Sequence, residues 1–226
     1  MTMRYSWIGA AALVLAGVLA TGAARAGEAG DLVFADRGPW ALGDRTLVWS
    51  MTHDGPAVPG FAAQDRGSLT LSQAIDPSDG KPVLQLDQKS TQRSRRIGPF
   101  PTSGGDPVVT FFLESTARDM AALTGGSPDY IRNRIKDAVF RGGEVTGVGD
   151  AREVVLRPFA DDPNKARMQG FETLEIRFRM GADPSQPIPE MVARTAGPVA
   201  VPMPQPAPPG AAPIAPAPYV HALALQ

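Results

Sequence analysis

Side chains able to do acid–base, nucleophilic or metal chemistry are few in this sequence. It holds two histidines, His53 and His221, and no cysteine. Without cysteine there is no disulfide, no thiol nucleophile and no thiolate metal site. A Ser-His-Asp device would have to use His53, with Asp54 beside it, because His221 falls in a proline-rich C-terminal stretch. No G-x-S-x-G elbow accompanies it. His53 closes an apolar strand face and reads as structural. Two histidines without cysteine fall short of the usual zinc and copper sets. The run Asp161-Asp162-Pro163-Asn164 lacks the spacing of a calcium loop. Glycines 142, 143, 147 and 149 do not link a strand to a helix as a phosphate loop does, and read as a flexible connector. No catalytic residue, metal ligand or cofactor is therefore expected. A carboxylate pair can serve a glycosidase without histidine, but the sequence singles out no such pair.

Side chains suited to recognition concentrate in the middle of the chain. Glu114, Arg118, Tyr130, Arg132, Arg134 and Lys136 lie on or near a pair of expected helices. Glu114 and Arg118 stand four apart, in the favourable order for a helix-surface ion pair. Arg132, Arg134 and Lys136 make a basic flank, suited to an anionic headgroup or an acidic partner. With Phe112 and Met120 from the apolar side, these residues form the expected ligand-binding set; Asp119 also lies on the hairpin and stands outside that set.

The elements that must position them follow from periodicity. Asp106 caps a helix with Pro107 in its first turn, and Val109, Phe112, Leu113, Met120 and Leu123 recur at helical spacing up to Gly125-Gly126. Ser127-Pro128 repeats the signal, with Asp129 in the first turn and an Ile131, Ile135, Ala138, Val139 stripe. The result is a helical hairpin over 107–140. A buried strand over Val108 to Leu113 is the alternative that periodicity alone leaves open. On either side the period is two. Leu47, Trp49, Met51 and His53 share a face, as do Leu69, Leu71 and Ile75, then Leu84 and Leu86 across an Asp76–Lys81 turn. Glu153 to Phe159 is a further strand. Over Glu172 to Met180, Leu174, Ile176, Phe178 and Met180 oppose Glu175, Arg177 and Arg179. One wet and one dry face implies an antiparallel sheet. The expected fold is α+β: a twisted antiparallel sheet of five or six strands with the helical hairpin inserted midway.

The ends differ from this body. Arg4, an apolar run from Ile8 to Ala20 and the closing Ala24-Arg25-Ala26 have the three parts of a cleavable secretory signal over residues 1–26. Its removal takes away two of the 22 basic residues and none of the 23 acids, leaving a net charge of −3. That balance gives no field to hold nucleic acid. No second apolar run is long enough to span a membrane. Residues 27–44 read as a lead-in and 45–181 as the sheet domain. The span 182–226, with no charged residue after Arg194 and proline throughout, reads as a disordered tail.

The stretch from Phe112 to Ile135, with its F-L-E-x3-R-D-M and G-G-S-P-x-Y-I-R-N-R-I segments, resembles a segment of uncharacterised exported proteins of Gram-negative bacteria. The resemblance covers about 24 residues of 226 and implies export, with no activity or catalytic residue to carry over. The expected architecture also resembles the half-barrels of periplasmic lipoprotein carriers, without a shared motif. Together these readings lead to a non-enzymatic periplasmic protein that holds a lipid or other apolar or amphipathic ligand between sheet and hairpin. Leu69, Leu84, Phe112, Met120, Ile176 and Phe178 would line the cleft. Two alternatives remain: a cell-envelope scaffold that captures a protein partner through residues 195–226, and a carboxylate-dependent hydrolase.

Overall fold

A computed structural model describes residues 27–148, 150–202 and 212–226. The expected signal peptide lies outside the described residues, as does part of the proline-rich stretch.

Among the described residues nine strands form one antiparallel sheet. They are β1 (Leu47–Asp54), β2 (Asp65–Ile75), β3 (Pro82–Ser90), β4 (Ser94–Pro101), β5 (Glu144–Val148), β6 (Ala151–Leu156), β7 (Glu175–Met180), β8 (Glu190–Val199) and β9 (Ala217–Leu225). Their order is β4-β3-β2-β1-β9-β8-β7-β6-β5. Two four-stranded meanders are thus joined edge to edge by the C-terminal strand. The helices are α1 (Glu28–Val33), α2 (Pro107–Thr124) and α3 (Pro128–Arg141).

This overturns the expectation of five or six strands. The hairpin over 107–140 is present, but β4, β5, β8 and β9 enlarge the sheet around it. The physical reason is plainest for the C-terminal segment. Proline lacks an N–H and is confined to edges, strand ends and bulges. Pro198 and Pro218 face each other beside a break in the β8–β9 ladder, and the continuous pairing of β9 begins beyond them. From there Tyr219, His221 and Leu223 point to the buried face. The expected tail therefore supplies the central strand of the sheet.

The caps form as their residues dictate. The Asp106 carboxylate accepts from the Val108 and Val109 amides at 2.8 and 3.3 Å, and Gly125 ends α2 with φ +70°. Ser127 accepts from the Tyr130 amide. The β2–β3 turn is closed by Asp76, whose carbonyl takes the Gly80 amide at 2.9 Å. Beyond the cover of the helices, Ile75 stands 63% exposed at the end of β2, rather than inward as its alternation suggested.

One face of the sheet is dry. Trp49, Met51, Leu69, Leu71, Leu84, Leu86, Ile176, Phe178, Met191 and Leu223 pack there against Val108, Phe112, Met120 and Leu123 of α2. The six residues expected to line an open cleft belong to this core; Phe112 and Phe178 meet edge to face at 5.9 Å. The other face carries ion pairs, with Arg157, Arg177 and Arg194 around Glu175 and Arg179 on Glu190. Among the described residues no helix is long and apolar enough to cross a membrane.

Because β9 is bonded on both sides, truncation after Val199 should abolish cooperative thermal unfolding followed by circular dichroism. A truncated chain that melts like the full one would show that the seam is dispensable.

Candidate functional site

The β1–β9 seam brings the two histidines together. The register sets His53 directly opposite His221, with Asp65 of β2 beyond His53 and Ala193 of β8 beyond His221. Directly opposed residues in an antiparallel pair share a face. The two imidazole centroids lie 4.5 Å apart, and both residues are buried. Helix α2 crosses above them and lowers Asp119 and Thr116 onto the pair.

Asp119 is the hub. One carboxylate oxygen, Oδ2, meets His53 Nε2 at 2.7 Å and accepts from the Tyr219 hydroxyl at 2.9 Å. Burial and the adjacent Asp119 charge push the Tyr219 hydroxyl well above its ordinary range, so it stays a donor. Tyr219 is itself fixed by the β8 bulge: its amide donates to Thr195 Oγ1 at 3.1 Å where the ladder is interrupted.

We assign the His221 tautomer from its hydrogen-bond geometry. The single Thr116 hydroxyl proton goes to the Phe112 carbonyl at 2.9 Å, and Thr116 Oγ1 lies 3.3 Å from His221 Nδ1. The oxygen can then only accept, so Nδ1 carries the proton and Nε2 presents a bare lone pair. That Nε2 is buried with no hydrogen-bond partner. Burial, reinforced by the His53 and Arg118 charges, holds the imidazole well below its ordinary range and therefore neutral.

A cavity of about 230 Å³ opens beside this network. Its walls include His53, His221, Met51 and Phe111, with Ser115, Asp119 and Asp65 supplying oxygens. Arg93, Arg95 and Arg118 bring three guanidiniums to it. Ten other arginines in the described residues sit in ion pairs with carboxylates, whereas these three, like the exposed Arg45, Arg152 and Arg167, do not. Arg95 donates to Gln88 Oε1 at 2.8 Å and lies over the Phe111 ring, and Arg118 donates to Ser115 Oγ. Burial, then the charges of Arg118 and Arg93, push the Arg95 guanidinium down, against a smaller pull from Asp119. The two facing carboxylates are already engaged. Burial pushes Asp65 up, but hydrogen bonds from Ser90, Thr91 and Gln92 outweigh it and hold the group below its usual range.

The residues expected from sequence separate into three places. Arg118 faces the cavity, since Glu114 pairs with Arg132 at 2.9 Å and not with Arg118. Glu114, Arg132 and Lys136 border a surface groove with Phe34, Leu113 and Phe140. Tyr130 and Arg134 hold the buried Asp162 at 2.8 and 2.6 Å and so fasten the loop after β6 to α3. Phe112 and Met120 are core. His53, Asp119, His221, Tyr219 and Arg95 were not in the expected set. The alternation through Tyr219, His221 and Leu223 was the sequence signal for β9, as the shared face of Leu47, Trp49, Met51 and His53 was for His53.

The His221 environment fixes a pH dependence. Below about pH 6.5 the unfolded chain protonates this imidazole while the folded chain does not. The unfolded state then binds more protons, so stability falls as the pH drops, at up to about 1.4 kcal/mol per pH unit. Above that range both states are neutral and the contribution is level. Urea unfolding in chelator should therefore show a steeper loss from pH 7.5 to 5.5 in the wild type than in His221→Phe. Parallel profiles would contradict the neutral assignment.

No family model, curated protein or solved structure matches this chain.

Proposed function

We propose that this chain is an exported, non-enzymatic binding protein that takes a small anionic or amphipathic ligand by its anionic end in the seam cavity. The carrying observation is the set of three guanidiniums, Arg93, Arg95 and Arg118, that converge on one cavity without carboxylate partners of their own. Like charges brought together repel, and an oxyanion between them relieves that repulsion while accepting charge-assisted hydrogen bonds.

Size limits the ligand. Small-molecule pockets commonly enclose about 300–1,000 Å³, and this cavity falls below that range at about 230 Å³. It suits a carboxylate or phosphate group with a short apolar portion against Met51 and Phe111. A lipid held between sheet and hairpin is disfavoured, because the side chains expected to line that cleft pack on one another. The scaffold alternative loses its motif, because Ala217–Leu225 is committed to the sheet. Export rests on the charged, apolar and A-x-A parts of residues 1–26.

The test is isothermal titration of protein recovered from the periplasmic fraction, whose first residue should be Gly27 by N-terminal sequencing. Inorganic phosphate and a series of two- to six-carbon carboxylates are titrated in chelator. One saturable site is expected, weakened at least about tenfold, roughly 1.4 kcal/mol, by Arg95→Gln or Arg118→Gln. Absence of saturable binding, or binding indifferent to both substitutions, would refute the reading.

A further inference from the structure

The unpartnered nitrogen of His221 calls for an electrophile. An acceptor lone pair left bare in a protein interior costs about 1–3 kcal/mol, and this one belongs to a ring packed beside a second imidazole and close to a carboxylate. One donor atom each from His53, Asp119 and His221 falls within 4.8 Å of the other two, and all three residues are buried. We infer that His53, Asp119 and His221 form a binding site for a divalent transition-metal ion of the zinc class.

Three features of the geometry carry the inference. The donor set is two imidazoles and one carboxylate, a combination that binds first-row divalent ions and leaves a coordination position open. The donors come from three separate elements, β1, α2 and β9, fixed by sheet register and helix packing rather than by a mobile loop. Partners behind two of the three donors are also in place. Ligating imidazoles nearly always donate their other N–H to a fixed acceptor, and ligating carboxylates are themselves hydrogen-bonded. Here Thr116 accepts from His221 Nδ1, and Tyr219 donates to Asp119. With its ring proton on Nδ1, His53 offers Nε2 as a donor atom, and Asp119 Oδ2 beside it is open to the same ion.

The open side faces the cavity and its arginines. Those charges oppose a bare cation and favour an anion as the remaining ligand. The site itself stands on the three donors and does not rest on the oxyanion reading.

The test uses full chain purified without an affinity tag, stripped with chelator and then titrated with Zn2+ and with Co2+, no oxyanion added. One equivalent should bind. Bound Co2+ should show the visible absorption of a low-coordinate site, and the ring nitrogens of both histidines should shift in 15N spectra on Zn2+ addition. Asp119→Asn and His53→Gln should each lower affinity more than about 100-fold. Thr116→Val, which removes the support of His221 and keeps all three donors, should cost about 10–100-fold. Circular dichroism in chelator verifies that each variant is folded, and the wild-type Co2+ and 15N signals do not depend on any variant. Failure to take up one equivalent, or uptake that leaves the two imidazoles unshifted, overturns the inference. Neither result bears on anion binding, which is measured with chelator present.

Discussion

Pairing between β1 and β9 is the constraint on which the rest of this structure depends. β9 enters between two meanders and hydrogen-bonds to both, so it converts two exposed strand edges into one continuous ladder. Unpaired edges are a liability that folded chains must cover, and here the C-terminus covers two at once. The register is not free to drift. A one-residue slip would turn Tyr219, His221 and Leu223 to the wet face and bring Val220, Ala222 and Ala224 inward. Trp49 and Met51 of β1, with Leu223 of β9, hold it by burial against α2. The same register that completes the core sets His53 opposite His221.

A polar network in such a place must be nearly complete to be tolerated, because a buried polar group without a partner is expensive. Asp119 accepts from Tyr219 and meets His53; Thr116 closes the Nδ1 side of His221. What remains is one lone pair, His221 Nε2, beside a small cavity rimmed by arginines. The site is polar at the centre of a sheet that is otherwise apolar on this face. It lies at the join between the two half-sheets, where side chains from β4, β1 and β9 meet α2.

Much of the fold was legible. The alternation in β1, β2, β3 and β7, the Asp76–Lys81 turn and both helix caps are local signals, and local signals carry strands, turns and helix ends well. β4 and β5 were harder. β4 begins in an arginine cluster and runs through Gly98 and Pro99, and β5 is a short edge strand among glycines, so neither shows a clean period. β8 and β9 were hidden by composition. Proline density between Pro198 and Pro218 suggested disorder, and it masked nine residues of plain alternation from Ala217 to Leu225. The candidate site suffered from the same gap. With His221 assigned to a tail, His53 had no partner and the scarcity of histidine argued against chemistry. Conversely, the helical hairpin drew attention by its charges, yet most of those charges fasten the hairpin to itself and to the following loop. Only Arg118 and Asp119 among them turn toward the cavity. Pairing between distant segments was the missing information, and no window along the chain contains it.

The central claim is that the seam holds His53 and His221 side by side, with His221 neutral and its Nε2 bare beside the cavity. Long-range 1H–15N correlation of the imidazole rings, in metal-free protein near pH 7, reports this directly. The account predicts that His221 shows a protonated Nδ1 and an unprotonated Nε2, with contacts between the two ring systems. A His221 ring that is doubly protonated, protonated on Nε2, or remote from His53 would contradict it.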